Sequence, residues 1–301
     1  MIGVSINILK IISNYCNKDE YLLLSRTNRY FKSLFEYNVD KLSIHYVIKS
    51  KSLSLLKYGR KNNIPWDKWT SALVAKYGSL KCLKYVHEKG CPWDEETCIM
   101  AARYDNFECL KYACENGCPL NELVCTNAIG NFELLKYLRK KGCPWNEDVC
   151  SRCAAMGKLD ILKYARNNGC PWNKWTCADA AKNDHLDILK YAHENGCPWD
   201  ELACKMAAWG GSLECLKYLH ENGCPWDEET CLMAASYDYL ECLKYAHENG
   251  CPWNLWVCLN ALGNSDLECL KYVYENGCEC EWKEKIKERI KERIKEKSNM
   301  I

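Results

Sequence analysis

Gly90-Cys91-Pro92-Trp93 recurs along the chain. Near-copies stand at Gly117-Cys118-Pro119-Leu120, Gly142-Cys143-Pro144-Trp145, Gly169-Cys170-Pro171-Trp172, Gly196-Cys197-Pro198-Trp199, Gly223-Cys224-Pro225-Trp226 and Gly250-Cys251-Pro252-Trp253. A worn copy, Asn63-Ile64-Pro65-Trp66, precedes them, and Gly277-Cys278 follows. Successive glycine numbers differ by 27, except for a step of 25 between Gly117 and Gly142. A fixed period in this range marks a stacked repeat protein.

Each residue of the tetrapeptide has a mechanical task. Gly117 follows Asn116 at the end of an apolar-periodic run, where a helix needs a left-handed residue to stop. Cys118 falls where a small apolar residue packs back on the last turn, near Ala113. Pro119 prevents the helix from resuming and holds Cys118 extended. In the preceding copy, Trp93 stands before an N-cap candidate, Asp94, and Cys98 lies four positions into the next helix, the spacing of a hydrophobic staple. The N-cap position reads Asp67, Asp94, Asn121, Asn146, Asn173, Asp200, Asp227 and Asn254, all types that satisfy free amides. The tetrapeptide therefore ends one helix and aims the next.

Take residues 91–117 as the unit. A first helix is expected from about Glu95 to Arg103, a turn at Tyr104-Asp105-Asn106, and a second helix from about Phe107 to Asn116. Ala101 and Ala102 permit close packing; Phe107, Cys109, Leu110 and Ala113 face inward. Nine units follow, roughly 37–63, 64–90, 91–117, 118–142, 143–169, 170–196, 197–223, 224–250 and 251–277, and Leu-Lys-Tyr recurs in each. The two residues missing from 118–142 fall between Ile129 and Gly130, which shortens the first helix or its turn. Outside the period, residues 1–36 suggest two short helices. Residues 278–301, with Trp282, Ile286, Ile290 and Ile294 four apart among charges, suggest a helix that caps the last repeat.

Hydrophobic residues make up 48% of the chain, enough for a continuous core, and the net charge of +1 gives no overall field toward nucleic acid or lipid. No apolar stretch approaches the ~18 residues of a membrane span. Met1 to Tyr15 lacks a basic leader and a small-residue cleavage site, so no signal peptide is expected. The 24 cysteines occupy mainly three registers. One of these reads Leu55, Cys82, Cys109, Leu134, Ile161, Ile188, Cys215, Cys242 and Cys269. Cysteine that trades with leucine and isoleucine acts as a small buried hydrophobe, which implies a reducing, cytoplasmic setting.

Ala101-Ala102 through Gly117 resembles the helical half of an ankyrin repeat: two alanines, a turn, Phe107-Glu108, an apolar pair, a lysine, an apolar run and a glycine. Thr97 is similar to the threonine that opens the ankyrin helix pair. The unit is six residues shorter than the family standard between glycine and alanines, which removes the projecting β-hairpin. The short units with Gly-Cys-Pro-Trp resemble ankyrin-repeat proteins encoded by giant DNA viruses of amoebae, over about 37–277. The resemblance implies an all-α, ankyrin-like solenoid of nine helix-turn-helix repeats and a protein-binding scaffold. Leu9, Ile12, Tyr15, Lys18-Asp19, Leu24-Ser25 and Asn28-Arg29-Tyr30-Phe31 resemble an F-box without its Leu-Pro opening. That likeness implies docking to the Skp-type adaptor of an SCF ubiquitin ligase, with the repeats choosing the substrate. A plain helical cap is the other reading of the same segment.

Reactive chemistry finds little support. Cys150 and Cys153 form a lone Cys-x-x-Cys, Cys278 and Cys280 a lone pair, and structural zinc needs two such pairs or added histidines. No metal and no cofactor are expected. His87, His193, His220 and His247 share one register near helix C-termini, where a cation is favourable; Cys114, Arg139 and Tyr274 replace them elsewhere. No phosphate loop, nucleophile elbow or zincin helix is present, so no catalytic residue is named and no enzyme is expected. The lysine ladder (Lys84, Lys111, Lys136, Lys163, Lys190, Lys217, Lys244, Lys271) is preceded three residues earlier by acids from Glu108 to Glu268, so intrahelical pairing is expected in place of nucleic-acid binding.

Positions that vary between units are free for recognition. Two registers vary most, one through Trp69, Trp175 and Trp256, the other through Arg103 and Trp209 with Tyr104 and Tyr237 beside it. Trp, Tyr and Arg dominate interface energy, so these seven are the candidate partner-binding residues of a monomer that binds protein, without nucleic acid or membrane. The competing reading is that these aromatics bridge adjacent repeats.

Overall fold

The computed structural model describes residues 44–61, 63–263 and 268–277; the F-box-like segment and the C-terminal capping helix lie outside the described residues. The described residues form eighteen helices and no strand. In pairs they are α1 Ile44–Lys49 and α2 Leu53–Lys61, α3 Lys68–Tyr77 and α4 Leu80–Glu88, α5 Glu95–Arg103 and α6 Phe107–Glu115. There follow α7 Glu122–Asn127 and α8 Phe132–Lys140, α9 Glu147–Ala155 and α10 Leu159–Asn167, α11 Lys174–Lys182 and α12 Leu186–Glu194. The last pairs are α13 Glu201–Gly210 and α14 Leu213–Glu221, α15 Glu228–Ser236 and α16 Leu240–Glu248, α17 Leu255–Gly263 and α18 Glu268–Glu275. The fold is thus an all-α stack of ankyrin-like helix pairs without the hairpin.

The tetrapeptide works as its residues dictate. Gly117 is left-handed at φ 78°, and Cys118 N donates back to Ala113 O at 3.0 Å, which closes the helix end. Asn63 takes the same left-handed conformation (φ 60°) in the worn copy. Asp94, Asn146, Asn173, Asp200, Asp227 and Asn254 each accept from the amide two residues on, and Asp67 forms a full capping box with Thr70. Asn121 is the exception: its side chain makes no cap bond. It opens the short unit, whose first helix α7 has six residues where α3, α5, α9, α11, α13, α15 and α17 have nine or ten.

The chain divides into two compact units, one ending at Pro144 and the other beginning at Trp145. Within each unit, first helices pack on the first helices of flanking repeats and second on second. The alanine pairs of α5, α11, α13 and α15 are buried there, with Leu110, Leu162, Leu189, Leu216 and Leu243 on the second helices.

Every described cysteine is a reduced thiol, and all but Cys114 are buried. They do more than fill space. From Cys91 to Cys251 the thiol after the repeat glycine donates to the carbonyl of the preceding repeat's N-cap residue: Cys91 to Asp67 (3.3 Å), Cys118 to Asp94 (3.1 Å), Cys170 to Asn146 (3.3 Å), Cys197 to Asn173 (3.3 Å), Cys251 to Asp227 (3.2 Å). This register therefore stays cysteine wherever the glycine stands.

Candidate functional site

The rings that the sequence assigned to caps and helix dipoles build the joint between neighbouring repeats. His193 stacks on Trp199 with centroids 3.8 Å apart, and its Nδ1 shares a hydrogen bond with the Tyr218 hydroxyl of the next repeat at 2.9 Å. His87–Trp93–Tyr112, His220–Trp226–Tyr245 and His247–Trp253–Tyr272 repeat the arrangement. Arg60 over Trp66 and Arg166 over Trp172, at 4.6 and 3.9 Å, substitute a guanidinium for the imidazole. Burial raises the pKa of Tyr112, Tyr218, Tyr245 and Tyr272 and lowers that of His247, so each desolvated ring favours its neutral form. The tryptophans thus make their ring contacts with this histidine and tyrosine, a role the staple reading of Trp93 did not include.

The lysine ladder divides. Lys136, Lys217, Lys244 and Lys271 pair with the acid three residues before, at 2.8–3.1 Å. Lys84, Lys163 and Lys190 instead lie over the tyrosine of the next repeat, 5.5–5.6 Å from its ring centre.

Each first helix leaves one stripe to solvent. On α11 the stripe is Trp175, Asp179 and Lys182, at i, i+4 and i+7, while Thr176, Cys177, Ala178, Ala180 and Ala181 are buried. Five candidates from the sequence are well exposed: Trp69 (51%), Tyr104 (47%), Trp175 (45%), Tyr237 (51%) and Trp256 (62%). Arg103 is exposed and Trp209 half-buried.

In the first unit, Lys76 Nζ lies 4.9 Å from the Tyr104 ring centre, and Arg103 Nε donates to Asn127 Oδ1 at 2.9 Å. In the second, Lys182 Nζ sits 3.4 Å from the Trp209 ring centre, and Trp209 lies 6.0 Å from Tyr237. Burial raises the pKa of Asp179 and the Lys182 charge opposes that rise. Arg103, Tyr104, Trp209 and Tyr237 therefore join neighbouring repeats, and Tyr104 and Tyr237 still offer aromatic faces to solvent.

Met206 and Met233, half-buried one turn along the same helices, extend this surface, and Tyr239 (38% exposed) adds to its edge. The sequence reading missed these three, although the i+4 step from Leu202 and Glu229 leads to the methionines.

Residues 177–220, from α11 through α14, match the family model described as ankyrin repeats (many copies). No curated protein matches the chain. Among the described residues no helix is long and apolar enough to cross a membrane, and no three His, Cys, Asp or Glu side chains are grouped to hold a metal.

Proposed function

We propose that the chain is a non-catalytic protein-binding scaffold, monomeric and cytoplasmic, whose partner lies along the exposed stripe of the first helices. What supports this is the solvent exposure of Trp175, Tyr237 and Trp256 on a stripe otherwise made by repeat packing. Large rings and adaptable thioethers such as Met206 and Met233 give a partner chain contact area at little entropic cost. The ankyrin-like architecture agrees, since ankyrin repeats serve protein recognition. In the finer form of this reading, residues 37–277 choose a substrate, residues 278–301 cap the last repeat, and residues 1–36 dock the Skp-type adaptor of a host SCF ubiquitin ligase. The short Gly-Cys-Pro-Trp units make a viral protein in an amoebal cell the setting for it.

The test combines two variants. Trp209→Ala with Tyr237→Ala should lower partner affinity by about tenfold or more while helical content stays intact. Unchanged binding alongside lost stability would return both residues to repeat packing. Purified Skp-type adaptor should bind the full chain and not a chain lacking residues 1–36; no binding to either leaves the plain scaffold.

A further inference from the structure

The exposed face of the first helices in the second unit begins with two tryptophans. Trp175 and Trp256 are the second residues of α11 and α17, and the Asn173 and Asn254 side chains accept from their amides at 3.0 and 2.9 Å. These caps fix both rings at one edge of the stack, where the second helices end and the first helices begin. Met206 and Met233 continue the same face one turn further along α13 and α15.

The charge beside this face is one-sided. Residues 145–277 carry 20 Asp and Glu against 11 Lys and Arg, a net charge of −9, whereas residues 44–144 carry 10 against 16, a net charge of +6. The near-neutral total of the chain hides this division. Glu194, Glu221, Glu248 and Glu275 are exposed and end α12, α14, α16 and α18. A helix C-terminus repels an anion, so the four carboxylates oppose their own helices, and none forms an ion pair among the described residues. Glu201 and Glu228, also exposed, open α13 and α15. Six residues separate Glu194 from Glu201, so both kinds of acid share the edge that holds the tryptophans. The crowding is felt at Asp227: burial raises its pKa and the Glu229, Glu228 and Glu201 charges add to the rise, against the hydrogen bond it accepts from the Glu229 amide.

We propose that this helix face receives a basic segment of the partner protein. Its Lys or Arg heads lie on the carboxylates of Glu194, Glu201, Glu221 and Glu228, and its side-chain stems lie against Trp175 and Trp256. Such recognition rests on the protein-binding reading above and adds a sign of charge to the partner. Long cationic side chains cover aromatic faces with their methylenes and keep their heads for carboxylates. Complementary charge also speeds encounter and rejects acidic competitors. Phosphate backbones are repelled by the same field.

The experiment selects binders to the full-length protein from a phage library of random peptides. A length of about twelve residues lets an extended peptide cross four first helices packed about 10 Å apart. Recovered peptides should carry Lys and Arg in excess of Asp and Glu. Made synthetically, they should lose about tenfold in affinity to Glu201→Gln with Glu228→Gln, and as much to Trp175→Ala with Trp256→Ala. Glu95→Gln with Glu122→Gln, the same register in the basic unit, should leave affinity unchanged. All five glutamate or tryptophan positions named on first helices other than Glu122 and Trp256 open nine- or ten-residue helices, and helical circular dichroism checks that each variant folds. Neutral or acidic peptides that still need Trp175 and Trp256 would overturn the basic partner and leave the scaffold reading standing. Failure to enrich any peptide would overturn both. A dimer in sedimentation that Glu201→Gln with Glu228→Gln dissociates would place residues 44–144 of a second copy on this face, and overturn the proposal as well.

Discussion

Gly210 is the last residue of α13, and a methyl group built on it would lie 1.9 Å from the Lys182 carbonyl oxygen of the preceding first helix. Two effects oppose each other in Gly210→Ala. Helix propensity favours alanine by about 1 kcal/mol. Overpacking against a backbone atom costs about 1–3 kcal/mol, because a carbonyl held in its own helix cannot swing aside as a side chain can. The second should win, so the variant should be less stable by up to about 2 kcal/mol in a urea titration. A stabilised variant would mean that α11 and α13 are less closely apposed. The same residue-level logic separates the cysteine registers. After each glycine the S–H has a carbonyl to reach, as Cys197 has at Asn173, and the residue does not vary. In the second helices the thiol contacts are longer, Cys82 to Lys51 O and Cys215 to Asp184 Oδ1 at 3.7 Å, and Cys109 trades there with Leu134 and Ile161.

At the scale of helix pairs, the joint between second helices rests on a tyrosine that reaches the histidine of the repeat before. Tyr218→Phe deletes the 2.9 Å bond to His193 and leaves its half-buried ring nitrogen without that partner, which should cost about 1 kcal/mol. Tyr137→Phe removes a hydroxyl that has no partner to lose, and should be neutral or slightly stabilising. Equal costs in chemical denaturation would contradict the ladder. The helices themselves were legible. The expected Glu95–Arg103 agrees with α5 at both ends, and the missing residues near Ile129 appear as the shortened α7. The ring ladder was not legible, because its partners lie 25 residues apart and each member had an adequate local explanation: His193 as a cation at a helix end, Trp199 as a staple. The clue was the joint departure of Cys114 and Leu120, the repeat that lacks the histidine also lacking the tryptophan. The exposed stripe was legible in part. Variation between units points to Trp175 and Tyr237, whereas Met206 and Met233 hide in a register that also holds Asp179 and Asn260.

For the molecule as a whole, a core rich in reduced thiols makes stability depend on alkali more than on acid. Burial pushes the pKa of Cys109 up to about 11, and those of Cys215 and Cys242 up to about 12, with acidic neighbours adding to the rise. An unfolded thiol ionises near 8.5, so above that pH the unfolded chain loses protons that the folded chain keeps. These groups have folded values raised above the unfolded one. Their stabilisation is therefore whole below about pH 8.5 and is lost as pH rises through the folded values. A thiol whose pKa stands one unit higher folded than unfolded contributes about 1.4 kcal/mol, so a few such thiols rival the entire stability of a domain. The raised tyrosines Tyr112, Tyr218, Tyr245 and Tyr272 act in the same direction above pH 10. Urea titrations in reductant at about pH 7.5, 9 and 10 should show the midpoint falling steadily above pH 8.5, followed by loss of helical circular dichroism. Cys215→Leu, the residue that register already holds at Leu134, should flatten that slope by removing one titrating group, whatever the larger side chain costs at neutral pH. A midpoint unchanged between pH 7.5 and 10 would mean that the thiols ionise within the fold, and that the stack admits water to the registers that hold its repeats together.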